Sequence, residues 1–520
     1  MKQVFHVFKK DVRHYWREGA ASIALMAVFA WYDMRSWAVN ERAFGYARGL
    51  FFLDDTFLSG LASVLLPVSW GFVIVRVIQG ESLVGDRQFW VTRPYDWRQL
   101  LAAKALFALV FINLPLLIAD VVLLTKAGFN PGVYVVGLLY MQTMIALLLS
   151  LIGALTTVTK NLAHLGLALL VVALYMVGMV FLSDQIPSSN FSSSLADSVQ
   201  TGLLVFTAFA VILSQYSRRK TTTSRLLIVG FAVVLFLILV ATPYRLVVAH
   251  AYPLLQDGQR PPVGFALLPA EKPADGGTRD ELKEVQIRIP VSVTGVADDS
   301  IVVISGVMIA IQSPNGLRWN SGWKSHGTSL FPEERSTWFD FTLKKGLFER
   351  IKAQPVRTNI SLALSVYRDQ NRRKFIAPQG EFLMTGVGLC NAGAGYSRNI
   401  SCRAPMRTPS SLLVTSDLSQ TTCSTGEEES RAGPGTIARD WHQNSDSDPA
   451  EFGVSPIKTV NFYLRTSLPS NKLTAGGICP GTPLILSNPE LLQTTRIDLE
   501  LKEFNVADYR QDSVRGFVRY

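Results

Sequence analysis

The stretch LSGLASVLLPVSWGFVIVRV, residues 58–77, is apolar almost throughout, and the stretch GESLVGDRQFWVTRPYDWRQLLAAK, residues 80–104, follows it. A bilayer core about 30 Å thick is crossed by roughly 20 apolar residues in a helix. Residues 58–77 are therefore predicted to span a membrane. Residues 80–104 are rich in aromatic and basic side chains, which favour the membrane interface and its cytoplasmic face. They are predicted to form a loop or short helix at that face.

Seven segments of the N-terminal half are long and apolar enough to be considered as membrane spans. The first of them is the weakest because Asp33 and Arg35 interrupt it. Pro67 and Pro115 lie inside spans, where membrane helices tolerate proline. The seven predicted spans are residues 20–37, 58–77, 100–124, 133–158, 162–182, 199–216 and 226–243.

The distribution of basic residues predicts the orientation of these spans. With the N-terminus inside, the inner segments carry 15 Lys and Arg residues and the short outer loops carry 4. Basic residues are enriched in cytoplasmic loops, so we expect a cytoplasmic N-terminus and an extracytoplasmic C-terminal half. Membrane topology and lipid headgroups account for the formal charge of +10 better than nucleic acid does.

The N-terminal segment is predicted to be an amphipathic helix that lies in the inner membrane interface. Its apolar positions Phe5, Phe8, Val12 and Trp16 recur at helical spacing, and basic residues occupy much of the rest. The predicted domains are an interfacial helix at 1–19, a transmembrane domain at 20–244, a linker or stalk at 245–280, and a β-rich extracytoplasmic domain at 281–520.

The domain at 281–520 is predicted to be mainly β. Apolar and polar residues alternate along 285–294, 360–366 and 497–501, which is typical of half-buried strands. Residues 300–312 form a more continuous apolar run, compatible with a central strand. Several short strands separated by turns favour a sandwich-like fold. Residues 408–448 are rich in Ser, Thr, Gly and acids and are predicted to be a long loop or partly disordered.

Four cysteines lie in this C-terminal half, and none lies in the predicted spans. An even number of cysteines in an extracytoplasmic domain allows two disulfides, with three possible connectivities. Their spacing lacks the paired pattern of zinc sites, so we expect no metal. The disulfide candidates are Cys390, Cys402, Cys423 and Cys479.

Motifs for catalysis are missing from the sequence. No Gly-Lys dipeptide occurs, so the chain has no Walker A phosphate loop, and neither HExxH nor G-x-S-x-G is present. We therefore expect no catalytic residues and no cofactor. Asp120 is a polar residue inside the third predicted span, where charge is costly. It lies near the outer end of that span, where it lines a substrate path, sits near the membrane interface or packs against a neighbouring helix.

The order of these features resembles the permease subunits of type-2 ABC exporters. In that family the segment after the second span carries a Glu, a Gly, a Thr-Pro or Arg-Pro step and a Lys at the next helix. The matching positions here are Glu81, Gly85, Arg93-Pro94 and Lys104. The resemblance covers about residues 1–225. The family's usual core has six spans, and this chain adds a seventh and an outer β domain.

The resemblance implies that the loop at 80–98 is a coupling helix, which docks on a separate cytosolic ATPase subunit that hydrolyses ATP. It also implies a homodimer or heterodimer of permeases in the cell inner membrane, with a periplasmic partner possible for the outer domain. The residues expected to contact the ATPase are Glu81, Asp86, Arg87, Phe89, Trp90, Arg93, Pro94 and Tyr95.

A second hypothesis belongs to another class of protein. The aromatic loop residues could simply anchor the loop in lipid. The chain would then be a non-transporting scaffold or sensor whose outer β domain binds a ligand or a protein. A scaffold has no need of a cytosolic ATPase, so the function of the inner loop separates the two hypotheses.

Overall fold

The protein consists of an N-terminal helical part and a C-terminal part built of antiparallel sheets. These features come from a computed structural model of the chain. The residues it describes are 2–39, 55–81, 96–185, 194–241, 244–255, 260–270, 284–377, 380–392, 399–406, 411–417, 437–443, 454–466 and 481–511.

Ten α-helices lie in the described residues, nine of them in the N-terminal part. A π-helical turn at Leu109–Asn113 joins α3 to α4, and a 3-10 turn at Pro131–Tyr134 precedes α5. The α-helices are α1 (Lys2–Val39), α2 (Asp55–Gln79), α3 (Trp97–Ala108), α4 (Leu114–Lys126), α5 (Val135–Val158), α6 (Leu162–Gln185), α7 (Ser194–Arg218), α8 (Thr221–Ala241), α9 (Tyr244–Ala251) and α10 (Lys345–Ile351).

Six helical stretches of the described chain are long and apolar enough to cross a membrane, which makes this a membrane protein. They match the last six of the seven predicted spans, whereas the first predicted span, 20–37, is not among them. The six stretches are Leu61–Gln79, Trp97–Lys126, Pro131–Val158, Leu162–Leu182, Val199–Arg218 and Thr221–Ile238.

Helix α1 is continuous through the boundary that was predicted between an interfacial helix and a first span. It is kinked at Tyr15, where the backbone has φ −114° and ψ 16°. Beyond the kink, α1 runs antiparallel to α2, with the hydroxyl oxygens of Ser22 and Ser69 3.3 Å apart. Gly19 permits close helix packing, because a Cβ there would lie 2.5 Å from Cδ1 of Phe111.

The helical bundle has two distinct ends. At one end, Asp11 of α1 contacts Lys104 of α3. At the other, Asp33 of α1 accepts a hydrogen bond from Ser455 of the β part, with the oxygens 2.7 Å apart. Asp11 and Asp33 are about 33 Å apart along the helix at roughly 1.5 Å per residue. That distance is close to the thickness of a bilayer core, about 30 Å.

Seventeen strands lie in the described residues of the C-terminal part. They are β1 (Gly264–Leu267), β2 (Glu284–Thr294), β3 (Ser300–Gln312), β4 (Arg318–Leu330), β5 (Ser336–Lys344), β6 (Val356–Arg368), β7 (Arg373–Ile376), β8 (Glu381–Met384), β9 (Gly388–Ala392), β10 (Asn399–Pro405), β11 (Ser411–Asp417), β12 (Ile437–Gln443), β13 (Ile457–Tyr463), β14 (Arg465–Thr466), β15 (Pro483–Ser487), β16 (Glu490–Phe504) and β17 (Arg510–Gln511).

Two four-stranded sheets form what we call the first β unit. In one sheet β2 pairs with β1, β5 and β17, and the other has the order β16-β6-β3-β4. The alternation along β2 buries Ile287 and Ile289 against residues of the second sheet such as Ile304 and Ile360. The two sheets therefore share one hydrophobic core, as period-two patterning predicts.

A second β unit is inserted between β6 and β16. Its sheets have the orders β13-β10-β9-β8 and β14-β12-β11-β15-β7, and they share a core that includes Ile400, Phe462 and Leu484. The prediction of a loop throughout 408–448 was wrong in part, because this stretch contains β11 and β12. Buried Leu412 and Val414 hold β11 in the core despite the polar composition around it.

One disulfide forms between two of the four candidate cysteines. Cys390 of β9 and Cys402 of β10 face each other in the strand register and are bonded. Cys423 and Cys479 lie outside the described residues, so the second predicted disulfide remains a prediction.

Part of the predicted linker at 245–280 is structured. Helix α9 packs Val248 against Trp323 and Ala363 of the first β unit, and β1 pairs with β2. The hydroxyl group of Thr494 donates to the carbonyl of Ala251, at 2.7 Å. The end of the helical part is thus bound directly to the sheet β16-β6-β3-β4.

The two β units meet at an interface of aromatic and charged side chains. The rings of Tyr367 and Trp441 lie 4.9 Å apart, and the guanidinium of Arg439 lies 5.0 Å from the ring centre of Phe331. Arg439 also donates from Nη2 to Oε1 of Glu333, at 2.6 Å. Glu334 lies next to this pair, and burial raises its pKa to about 7 despite a backbone hydrogen bond from Phe331 and the charge of Arg439.

We expect this interface to become less stable as pH rises. Because the folded state favours protonated Glu334, the stability that protonation contributes is present below about pH 4.5 and is lost as pH rises through about 7. Glu334→Gln should raise the melting temperature of the full chain at pH 8 and change it little at pH 4.5. Thermal unfolding from pH 4.5 to pH 8 measures this.

Glu333, the adjacent residue, is a matched control, because its substitution should have the opposite effect on stability. The hydrogen bond from Arg439 holds the pKa of Glu333 below its usual range, so its charged form is the stabilising one. Glu333→Gln should lower the melting temperature at pH 8. An equal effect of both substitutions at this pH would contradict the assignment.

Candidate functional site

A buried network of ion pairs lies where α1, α2 and α3 meet. Nζ of Lys104 is 2.8 Å from Oδ2 of Asp11 and 3.3 Å from Oε2 of Glu81. Nζ of Lys10 is 2.8 Å from Oε1 of Glu81. The side chains of Lys104 and Asp11 are only 6% and 2% exposed. Two lysines and two acids thus form a neutral group, which we call the ion-pair network.

The network closes the base of the loop that links α2 to α3. Glu81 immediately follows α2, and Lys104 lies two turns into α3, so their contact brings the two ends of the loop together. Asp11 and Lys10 attach the N-terminal helix to the same point. The loop therefore begins and ends on a base that three helices share.

Apolar side chains surround this base. Val7 of α1, Leu100 and Ala103 of α3, and Tyr216 of α7 form one buried cluster beside it. Such packing keeps water away from the pair Lys104–Asp11, which strengthens its attraction but makes an unpaired charge there costly. The side chain of Lys10, at the edge of the network, is 48% exposed.

Gly80 allows the kinked helix α1 to approach the loop. A Cβ at Gly80 would lie 1.8 Å from the hydroxyl oxygen of Tyr15, so no larger residue fits while Tyr15 keeps its place. Tyr15 is itself buried against Val73, Val77 and Phe107. The kink at Tyr15 thus places its side chain directly on the end of α2.

The two acids of the network respond differently to it. Burial by itself would raise the pKa of Glu81, but the ammonium groups of Lys104 and Lys10 outweigh burial and hold this pKa below its usual range. Burial dominates at Asp11, and the pKa of its carboxyl is raised although Lys104 opposes the shift. Glu81 is therefore the firmly ionised acid of the network.

Only Glu81 among the predicted coupling residues lies in the described part of the chain, and it belongs to the network. The others, which lie outside the described residues, are Asp86, Arg87, Phe89, Trp90, Arg93, Pro94 and Tyr95.

The predicted interfacial face of α1 divides into two sets. Phe5 and Trp16 are 65% and 53% exposed on the bundle surface. Phe8 and Val12 are half-buried against the neighbouring helices. Only part of the apolar face is therefore available to lipid, and the rest packs on protein.

Sequence reasoning missed the central acid of the network. Asp11 was not singled out, although it is the only acid among the basic residues of 1–17. It lies at helical spacing from Val4, Val7 and Tyr15, which are positions of the face that packs on the bundle. A lone acid on a buried helix face is the signal that would have identified it.

The first β unit also carries a groove, with a volume of about 550 Å³. The strand register places Gln312 between Arg318 and Arg357, and Ala310 between Asn320 and Asn359. Two guanidinium groups and three amides thus line one end of the sheet β16-β6-β3-β4. Within the described residues, no group of three or more His, Cys, Asp or Glu could hold a metal ion.

Comparisons with known proteins give no family for this chain. No family model matches it, and no curated protein matches it. Among the solved structures that match, that of red sea bream transglutaminase has a TM-score of 0.14 and 9% sequence identity to this chain. The similarity covers 46% of this chain and 31% of that one, and at this TM-score it carries no argument about fold or function.

We expect the helical part to be strongly destabilised when one partner of the ion-pair network is removed. Lys104→Met leaves Asp11 buried without its partner and should cost about 3–5 kcal/mol of stability. Adding Asp11→Asn to Lys104→Met removes the uncompensated charge and should recover much of that loss. Thermal unfolding in detergent compares the melting temperatures of the purified parent chain, the Lys104→Met variant and the double variant.

Lys352→Met is the matched control. Lys352 pairs with Glu349 on the surface, where the two side chains are 46% and 45% exposed, so its loss should cost less than about 1 kcal/mol. Similar melting temperatures for the two single variants would show that the network contributes no more than a surface pair.

Proposed function

We propose that the chain is the permease subunit of an ATP-driven, ABC-type exporter, coupled to a separate cytosolic ATPase through the loop at 80–98. The observation that carries the proposal is the ion-pair network at the base of this loop. Two of its members, Glu81 and Lys104, are positions on which the resemblance to type-2 exporters rests. Their contact supports a loop with a fixed base rather than a loose connection.

In the mechanism we propose, ATP binding closes the ATPase dimer and moves the loop. Because Lys104, Asp11 and Glu81 hold three helices together, force on the loop would move α1, α2 and α3 as one body. Shifts of packed helices of this kind open or close a path through a bundle. Two such permease subunits would form the transport unit, as a homodimer or a heterodimer.

The proposed topology has seven crossings. Helix α1 would add one crossing to the six apolar stretches, because it passes from the network at Asp11 to the β part at Asp33 alongside α2. The N-terminus and the network would then be cytoplasmic and both β units extracytoplasmic, with a sandwich-like arrangement in each unit. Inner-membrane localisation follows from the exporter proposal.

Cysteine labelling tests this topology. We expect an impermeant maleimide to label Val133→Cys in sealed right-side-out membranes, because Val133 is exposed at the end of the bundle that faces the β part. Lys160→Cys and Lys2→Cys should be labelled more than the parent chain only after the membrane is opened. Labelling of Lys2→Cys together with Val133→Cys would show that α1 does not cross.

Co-purification tests the coupling. The tagged full chain, solubilised in mild detergent, should retain a Walker-containing ATPase with measurable ATP hydrolysis. Arg87→Glu with Trp90→Ala should abolish this retention, because Arg and aromatic residues dominate interface energetics. The same two changes in the β part, Arg318→Glu with Trp338→Ala, should leave retention unchanged.

A second function is favoured by the groove of the first β unit. Arginine and amide side chains around a cavity of about 550 Å³ suit an acidic or polyhydroxyl ligand. The chain would then be a membrane-anchored sensor or scaffold. Failure to retain any ATPase, even after mild crosslinking, would favour this function over transport.

A further inference from the structure

A chain of polar side chains lies inside the helical bundle, away from the ion-pair network. Nδ2 of Asn113 donates to the backbone carbonyl and to Oε1 of Gln142, at 3.2 and 3.1 Å. Nε2 of Gln142 donates to Oδ2 of Asp120, at 3.2 Å. Asn113 ends the π-helical turn, a type of turn that is frequent at functional sites.

Asp120 is incompletely satisfied. It is fully buried, and its Oδ1 has no hydrogen-bond partner. None of the ion pairs in the described part of the chain includes it. A second acid, Asp33, interacts electrostatically with Asp120. A carboxyl group at membrane depth without a cationic partner is costly, and such residues commonly mark ligand or ion paths.

The face of the helix that leads to Asp120 packs in an apolar cluster, and this cluster holds one further buried polar atom without a partner. Ile112 and Leu116 precede Asp120 on the same side of the bundle and pack with Trp70, Ile145 and Leu149. Trp70 is fully buried, and its Nε1 donor also lacks a partner. The bundle interior thus combines bulky apolar walls with an unpartnered acceptor and an unpartnered donor.

A segment of the second β unit covers this region. Val454 is buried in the same apolar cluster, beside Met26 and Phe29 of α1. Ser455 donates to Asp33, and Ile457 packs against Leu124 and Leu138. Residues 454–457 therefore close the end of the bundle directly above the polar chain.

We propose that the bundle interior binds a lipophilic cation, an apolar molecule with a positively charged group, and that Asp120 is its counter-ion. The aliphatic and aromatic walls would hold the apolar body of the ligand. Oδ1 of Asp120 would pair with the charge, and withdrawal of residues 454–457 would admit the ligand. That this cation is the exported substrate rests on the proposed function, but its binding does not.

Equilibrium binding of tetraphenylphosphonium to the purified full chain tests the proposal. Its anionic counterpart of matched size and shape, tetraphenylborate, is the control ligand. We expect saturable binding of the cation and none of the anion. Asp120→Asn should weaken cation binding at least about tenfold, because it removes the charge of a charge-assisted contact.

Asp96→Asn is the control variant. Asp96 caps α3 at the opposite end of the bundle, and asparagine caps equally well, so cation affinity should be unchanged. Ser455→Ala removes the hydrogen bond to Asp33 and should speed association of the cation. Unchanged association kinetics in this variant would contradict the role of residues 454–457 as a cover.

If Asp120→Asn does not fold, cation and anion binding to the wild-type chain still test the proposal. Absence of saturable cation binding, or equal binding of the anion, would overturn the proposal. Co-purification of the ATPase is read separately. Cation binding without a retained ATPase would preserve the site and refute the exporter, whereas a retained ATPase without cation binding would refute the site alone.

Discussion

The contact between Lys104 and Asp11 is the interaction on which the arrangement of the first three helices depends. Both side chains are almost completely buried, and an ammonium or carboxylate at such a place is tolerated only when it is paired. The pair therefore selects one register of α1 against α3. Glu81 joins the same lysine, so the position of α2 follows from the same choice. Apolar packing alone, between helices that are apolar on most sides, would leave several registers similar in free energy.

Helix α1 connects the two ends of the bundle. Asp11 holds α1 in the ion-pair network, and Asp33 holds it against Ser455 of the second β unit. A displacement of α1 along its axis would therefore disturb both contacts, because a hydrogen-bonded helix transmits axial movement with little compression. The kink at Tyr15 is the point where part of such a movement could be absorbed. Any coupling between the loop at 80–98 and the cover at 454–457 has this helix as its most direct physical route.

Local patterns in the sequence predicted the elements, whereas contacts between distant residues decided their assembly. The apolar run at 300–312 coincides with β3, and the alternation at 285–294 falls within β2, because burial on one or both faces leaves a local record. The insertion of the second β unit between β6 and β16 leaves no such record. Asp11 did leave a local signal, as the lone acid on a packed helix face, but its partner Lys104 is 93 positions away and no local pattern identifies that pairing. The coupling residues from Asp86 to Tyr95 stay predictions, because they lie outside the described chain.

The ion-pair network and Asp120 are both buried in the helical part, and they differ in one respect that bears on function. In the ion-pair network each charge has a partner of opposite sign, so the group stabilises the fold and fixes the positions of three helices. At Asp120 an acid faces an amide and a second acid, and one of its oxygens has no partner in the described structure. Evolution readily replaces an unsatisfied carboxyl in an apolar core by an apolar residue, because that change favours stability. Its presence beneath residues 454–457 of the second β unit is therefore better explained by the bound cation that we propose than by the needs of the fold.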